Sequence, residues 1–197
     1  MQRTVEQAGE LVRKGGVVAA PTETFYALVA SARDRAASER IFRIKVRDGV
    51  KPLPVVAADK AAVEASFEIP PMCEAAMHAF WPGPLTLVLR PKGHGLEHLQ
   101  SELGTVAVRV SPNQLITRIA ELAGGLVTST SANLSGEPPV SRVDELDPVL
   151  VAGLDGVVDG GQTPGGLAST IAEWGEAGWV VYREGPITRA ALEGLGQ

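Results

Sequence analysis

Little in this sequence can bind a metal or cross-link the chain. One cysteine, Cys73, and three histidines stand among 197 residues. A lone cysteine forms no intrachain disulfide and supplies no cysteine-based zinc site. His94 and His98 are spaced i, i+4, but Gly93 and Gly95 interrupt the helix that would align them, and no carboxylate motif completes a ligand set. No stretch reaches the roughly 18 apolar residues of a membrane helix. The opening MQRTVEQAGELVRKGG lacks the apolar centre of a secretory signal. These absences point to the cytosol. Basic charge is not in excess: 18 Lys and Arg against 23 Asp and Glu give a net charge of −5. That excludes a surface coated for nucleic acid, although not a local basic groove. Fixed-period repeats, Walker-type and Rossmann glycine loops and a G-x-S-x-G elbow are all missing.

What is present is a chain rich in turn formers. It holds 22 glycines and 14 prolines, well above the usual combined share of about 12%. Helical spacing appears at Thr4 to Lys14, from the cap Asp34 towards Lys45, after Asp59, over Met72 to Phe80, and after Pro112, which suits a first helical turn. Between them lie apolar runs of strand length at Val17–Ala20, Pro54–Ala57, Leu85–Arg90, Val106–Val110 and Leu126–Val127. Strands at 156–158, 169–173 and 179–183 and a short helix after Thr188 complete the series. Interleaved strands and helices followed by strand-rich sequence predict one α/β domain, residues 1–197, on a mixed sheet.

Three polar groups sit at expected strand or helix ends. The run Thr128 to Asn133 carries five hydroxyl or amide side chains after a strand, where open α/β sheets place ligands. A Ser/Thr turn that satisfies its own backbone reads the same way. Lys45 and Arg47 flank Val46 at a helix end, where a Lys and a forked Arg would suit a polyphosphate or simply complement the helix dipole. Thr22, Glu23 and Thr24, with Tyr26 and Arg109, form the third group; Arg109 suits a ligand carboxylate or a structural ion pair. The glycine-rich 160–166 could offer backbone donors or form a mobile turn.

Several segments occur together in one order: Pro-Thr-Glu-Thr-Phe-Tyr (21–26), Lys45-Val-Arg47, Trp-Pro-Gly-Pro-Leu-Thr (81–86), Val-Ala-Val-Arg (106–109) and Ser-Thr-Ser-Ala-Asn-Leu-Ser-Gly (129–136). Asp-Gly-Gly (159–161), Ser169-Thr170-Ile171 and Arg183-Glu-Gly185 follow. In this combination the chain resembles the YrdC family of threonylcarbamoyl-AMP synthases from about residue 4 to 190. The resemblance implies a twisted open α/β sheet with flanking helices and a concave cleft. It implies a nucleotidyltransferase reaction in which L-threonine, bicarbonate or CO2, and ATP carrying Mg²⁺ give threonylcarbamoyl-AMP and pyrophosphate. A separate tRNA threonylcarbamoyl transferase would receive the product and modify adenosine 37; a weak contact with tRNA or double-stranded RNA is left open. Carried over by position, Lys45, Arg47, Thr105, Ser131, Asn133 and Arg183 would hold ATP, with Lys45 and Arg47 acting on the departing pyrophosphate. Thr22, Arg109, Ser129 and Ser169 would surround threonine, with Thr24 a weaker candidate. No residue is expected to ligate a metal directly.

The chain also departs from the family pattern. Tyr26-Ala27-Leu28-Val29 lacks two customary glycines, and Ala27 and Val29 would narrow the site if a substrate approached the backbone there. Asp48 replaces a usual proline, Val56 a frequent histidine and Ala168 a frequent glutamate. These changes support an alternative, a catalytically lapsed paralogue that binds nucleotide or double-stranded RNA. On this resemblance the chain is expected to be one of the short, single-domain members.

Overall fold

The computed structural model of the chain describes residues 1–45 and 52–196; Arg47 and Asp48 therefore lie outside the described residues. Among the described residues, ten strands form two mixed sheets. In the first, β1 (Val18–Pro21) pairs antiparallel with β2 (Tyr26–Val29) and parallel with β8 (Gly156–Val157), and β2 pairs with β7 (Thr130–Ser131). The second has the order β10 (Gly178–Arg183), β9 (Thr170–Gly175), β4 (Leu85–Leu89), β5 (Val106–Val110), β3 (Val55–Ala57), β6 (Leu126–Thr128). The expected α/β class with mixed pairing holds, and the strands divide between two sheets that meet along one segment. Ser131 pairs with Ala27 and Thr130 with Leu28, and a bridge joins Val127 to Ser31 in the same antiparallel register. Residues 126–128 bond at the same time to β3 on their other side.

Strands β3, β4, β5 and β6 of the second sheet are buried on both faces, which explains their nearly unbroken apolar sequences, whereas β10 leaves Val180 and Tyr182 exposed. Alternation along β3 sends Val55 and Ala57 into the larger core cluster and Val56 into the smaller one. The helices start where short polar side chains can cap them. Thr4 and Gln7 form a capping box on α1 (Val5–Arg13), and Asp34 accepts from the Ala37 N–H of α2 (Arg35–Ile44). Asp59 caps α3 (Lys60–Ser66), whereas α4 (Pro71–Phe80) begins on a proline. Pro112 precedes the cap rather than opening the helix: Asn113 caps α5 (Gln114–Leu122), whose buried face is Ile116, Ile119 and Ala120. Gly9 lets α1 and α5 approach, since a Cβ there would stand 2.5 Å from the Leu122 side chain. Two short helices, α6 (Pro148–Ala152) and α7 (Arg189–Glu193), complete the fold.

Trp81 is a packing corner. Its indole N–H donates to the Leu85 carbonyl at 2.6 Å, and the Gly83 N–H reaches Val110. Val29, expected to narrow the site, is fully buried in the smaller core cluster, because its place in β2 turns it inward.

Candidate active site

A cavity of about 480 Å³ opens where the carboxyl ends of β1, β5, β6 and β10 meet the start of β9. Local turns and bonds between distant segments set the polar side chains on its wall. The β1–β2 turn is built on Thr22, whose hydroxyl donates to the Phe25 carbonyl at 2.7 Å and accepts the Thr24 and Phe25 N–H groups. Thr22 is thereby committed to holding the turn. Thr24 lines the cavity with its hydroxyl 3.2 Å from that of Thr22. Tyr26 ties the glycine-rich segment down: its hydroxyl donates to the Gly161 carbonyl at 2.8 Å and accepts the Gly160 N–H.

The electrostatics of the cavity come from two guanidinium groups. Among the described residues on its wall, Arg109 and Arg183 are the charged ones. Arg109 interrupts the apolar β5 and sits with its Nε 3.0 Å from Glu23 Oε1, both side chains about 10% exposed. Glu23 Oε2 accepts the Ser111 hydroxyl at 2.5 Å. Burial pulls the Arg109 pKa down, and the Glu23 carboxylate opposes that pull. Arg183 donates from Nε to the Ser169 carbonyl at 2.9 Å and from Nη2 to its hydroxyl at 3.2 Å. Its pKa is also lowered, by burial and then by repulsion from Arg109. Two cations on the wall, with one carboxylate paired to Arg109 alone, leave a site suited to an anion.

The run Thr128 to Asn133 divides between backbone bonding and the cavity. Thr128 closes on the backbone of Ala30, 98 positions earlier, a tertiary contact rather than the local Ser/Thr turn. Ser129, Thr130 and Ser131 face the cavity, with Ser129 held by its N–H on the Pro54 carbonyl. Asn133 bends away and donates its amide to the carbonyls of Leu134 and Glu137. Lys45, buried at the end of α2, directs its ammonium onto the Ser131 and Asn133 carbonyls at 2.5 and 2.6 Å. Thus Thr22, Arg109, Ser129, Ser131, Ser169 and Arg183 converge on one cavity. Lys45 and Asn133 brace the turn behind it, and Arg47 falls outside the described residues.

Thr105 stands apart from this group. It precedes β5 at the end opposite Arg109 and is absorbed in a turn with Ser101, their hydroxyls 2.8 Å apart. Ala27 and Ala168 line the cavity, and Val56 lies in the core in register with Arg109. The apolar part of the wall, Phe25, Pro52, Pro54, Pro139 and Ile171, carries no polar signal in the sequence. Among the described residues no group of three or more His, Cys, Asp or Glu could hold a metal ion, and no helix is long and apolar enough to cross a membrane.

Comparison with known proteins shows the family and the fold. A threonylcarbamoyl-AMP synthase of Stenotrophomonas maltophilia is 38% identical over 168 residues, covering 84% of this chain and 89% of that protein. The crystal structure of Pyrococcus abyssi Sua5 complexed with L-threonine superposes with a TM-score of 0.88 at 33% identity; it matches 97% of this chain, which spans only 56% of that one. Escherichia coli YciO gives a TM-score of 0.82 at 29% identity, covering 92% and 89% of the two chains. The Sua5/YciO/YrdC family model, described as telomere recombination, matches residues 10–185, and the chain belongs to that family.

Proposed function

We propose that this chain is a threonylcarbamoyl-AMP synthase, a nucleotidyltransferase that joins L-threonine, bicarbonate or CO2, and Mg²⁺-bound ATP. The observation that carries this reading is the convergence of Arg109 and Arg183 with the Ser129, Ser131 and Ser169 hydroxyls on one cavity. The threonine carboxylate meets Arg109, whose carbon stem is fixed in β5 and whose charge Glu23 steadies. The threonine amine takes up CO2 and releases a proton, giving a carbamate. A carbamate oxygen then attacks the α-phosphorus of ATP, forming the new P–O bond as the bond to pyrophosphate breaks. Negative charge grows on the departing group, and cations aimed there lower the barrier without a covalent enzyme intermediate.

Arg183 supports this role from the cavity wall. We assign Lys45, Arg47 and Asn133 to the phosphate side, Lys45 acting from the end of α2 next to the Ser131 turn. Mg²⁺ enters on the ATP phosphates as part of the substrate. The product would pass in the cytoplasm to a transferase acting on tRNA. Catalysis on this account is positioning and charge stabilisation.

The test is pyrophosphate release from Mg²⁺-ATP with L-threonine and bicarbonate present or omitted, with the adenylate identified by mass spectrometry. Release that needs both co-substrates is the expected result. No release from a protein that binds ATP overturns the synthase and leaves the nucleotide- or RNA-binding paralogue. RNA binding would in addition weaken steeply with salt.

A further inference from the structure

Strand β4 reads LTLVL, and Thr86 is its one polar side chain, 2% exposed. Thr86 pairs in register with Ile171 of β9, which pairs with Arg183 of β10. Ile171 and Arg183 both line the cavity, so Thr86 lies on the same sheet face, directly behind the wall. Its hydroxyl is 2.8 Å from that of Ser169, the one hydrogen-bond partner of its side chain among the described residues.

Hydroxyls carry one proton and accept twice, so the direction of this bond follows from counting. Arg183 Nη2 already donates to Ser169 Oγ. The buried Thr86 proton has the same oxygen as its sole acceptor, and leaving such a donor unmade is costly. Thr86 therefore donates, both acceptor positions of Ser169 are filled, and the Ser169 proton is directed into the cavity.

We propose that Thr86 is a positioning residue that makes Ser169 an obligate hydrogen-bond donor, so that the Ser169–Arg183 wall presents only donors and selects an anionic oxygen. This rests on the synthase reading for the identity of the ligand: the oxygen belongs either to the amino-acid anion or to the phosphate chain. Acceptor-bearing neutral groups gain less from that wall than anions do.

Thr86→Val, Thr86→Ser, Ser169→Ala and the Thr86→Val/Ser169→Ala pair test it. Removing the positioning bond raises the KM of the substrate held there about five- to twenty-fold in Thr86→Val, with kcat changed less. Thr86→Ser, which keeps the donor, stays within about two-fold of wild type. In the Ser169→Ala background Thr86→Val adds nothing, because the bond it removes is already gone. A KM shift confined to L-threonine assigns the oxygen to the amino-acid anion; one confined to ATP assigns it to the phosphates. Unchanged KM for both substrates overturns the proposal, as does a Thr86→Val effect that persists without the Ser169 hydroxyl. Should Thr86→Val not fold, Thr86→Cys, a weak donor of similar size, carries the same comparison. If wild type makes no adenylate, the synthase reading fails separately, and calorimetric titration with pyrophosphate decides the donor wall. Weaker pyrophosphate binding by Thr86→Val then supports it; equal binding, or none by wild type, overturns it.

Discussion

Replacing Glu23 by alanine isolates the energetics of the buried pair. Arg109 and Glu23 are each about 90% removed from solvent and 3.0 Å apart, so the substitution strands a guanidinium in a low-dielectric pocket. Breaking such a pair from one side costs about 3–5 kcal/mol, most of it the desolvation of the charge left behind. The Ser111 hydroxyl also loses its acceptor at 2.5 Å, worth about 1 kcal/mol more. For a chain of this size each kcal/mol lowers the melting temperature by about 2–4 °C, so Glu23→Ala should melt roughly 8–24 °C below wild type. Glu23→Gln keeps the shape and an acceptor for Ser111 and should lose about half as much. Calorimetry on the three proteins gives the comparison, with affinity for L-threonine measured in parallel. A Glu23→Ala variant within about 1 kcal/mol of wild type would refute the reasoning: water in the cavity would then be solvating Arg109 well enough to replace its partner.

Other consequences can be measured independently. Lys45→Ala removes an ammonium that binds the Ser131 and Asn133 carbonyls, and turnover should fall by about 100-fold or more; near-wild-type turnover would remove Lys45 from the phosphate side. Asp155 accepts from Arg40 at 2.7 Å and from the Val17 N–H at 2.8 Å. Although burial raises its pKa, these bonds outweigh it and hold the group below 3.8. The contribution is therefore present above pH 3.8 and is lost as pH falls through the lower folded value. Urea midpoints should drop less between pH 7 and pH 3 in Arg40→Met than in wild type, and equal drops would contradict this. Burial raises the Cys73 thiol to about 11, so a thiol reagent at pH 8 should label it only after denaturation.

Much of the fold was legible because caps, glycines and prolines punctuate it. Thr4, Asp34 and Asp59 sit at real helix starts, whereas α5 starts later than expected, on the cap Asn113 rather than on Pro112. The short β2 and β7 were less visible, being four and two residues long, and β7 depends on β2 about 100 positions away. Residues at strand ends, Arg109 and Ser129 above all, could be read as site candidates because charge or hydroxyls at the end of an apolar run need an explanation. Thr105, carried over only by the family resemblance, lies in a separate turn at the other end of β5 from Arg109. Thr86 belonged to a visible motif, but its bond to Ser169 spans 83 positions and only tertiary pairing creates it.

The shared segment 126–131 has a consequence for synthesis on the ribosome. Strands β1 and β2 are buried along their whole length in the finished protein, yet their outer partners are β8 and β7. The hairpin they form early has an unpaired β2 edge until residue 131 has emerged and an unpaired β1 edge until residue 157 has. At ordinary elongation rates each interval is on the order of ten seconds, long against hairpin closure in microseconds. Bare strand edges are templates for pairing with other chains. The nascent protein is thus most vulnerable to aggregation before its second half arrives, and a slower passage through residues 30–157 would lengthen that exposure.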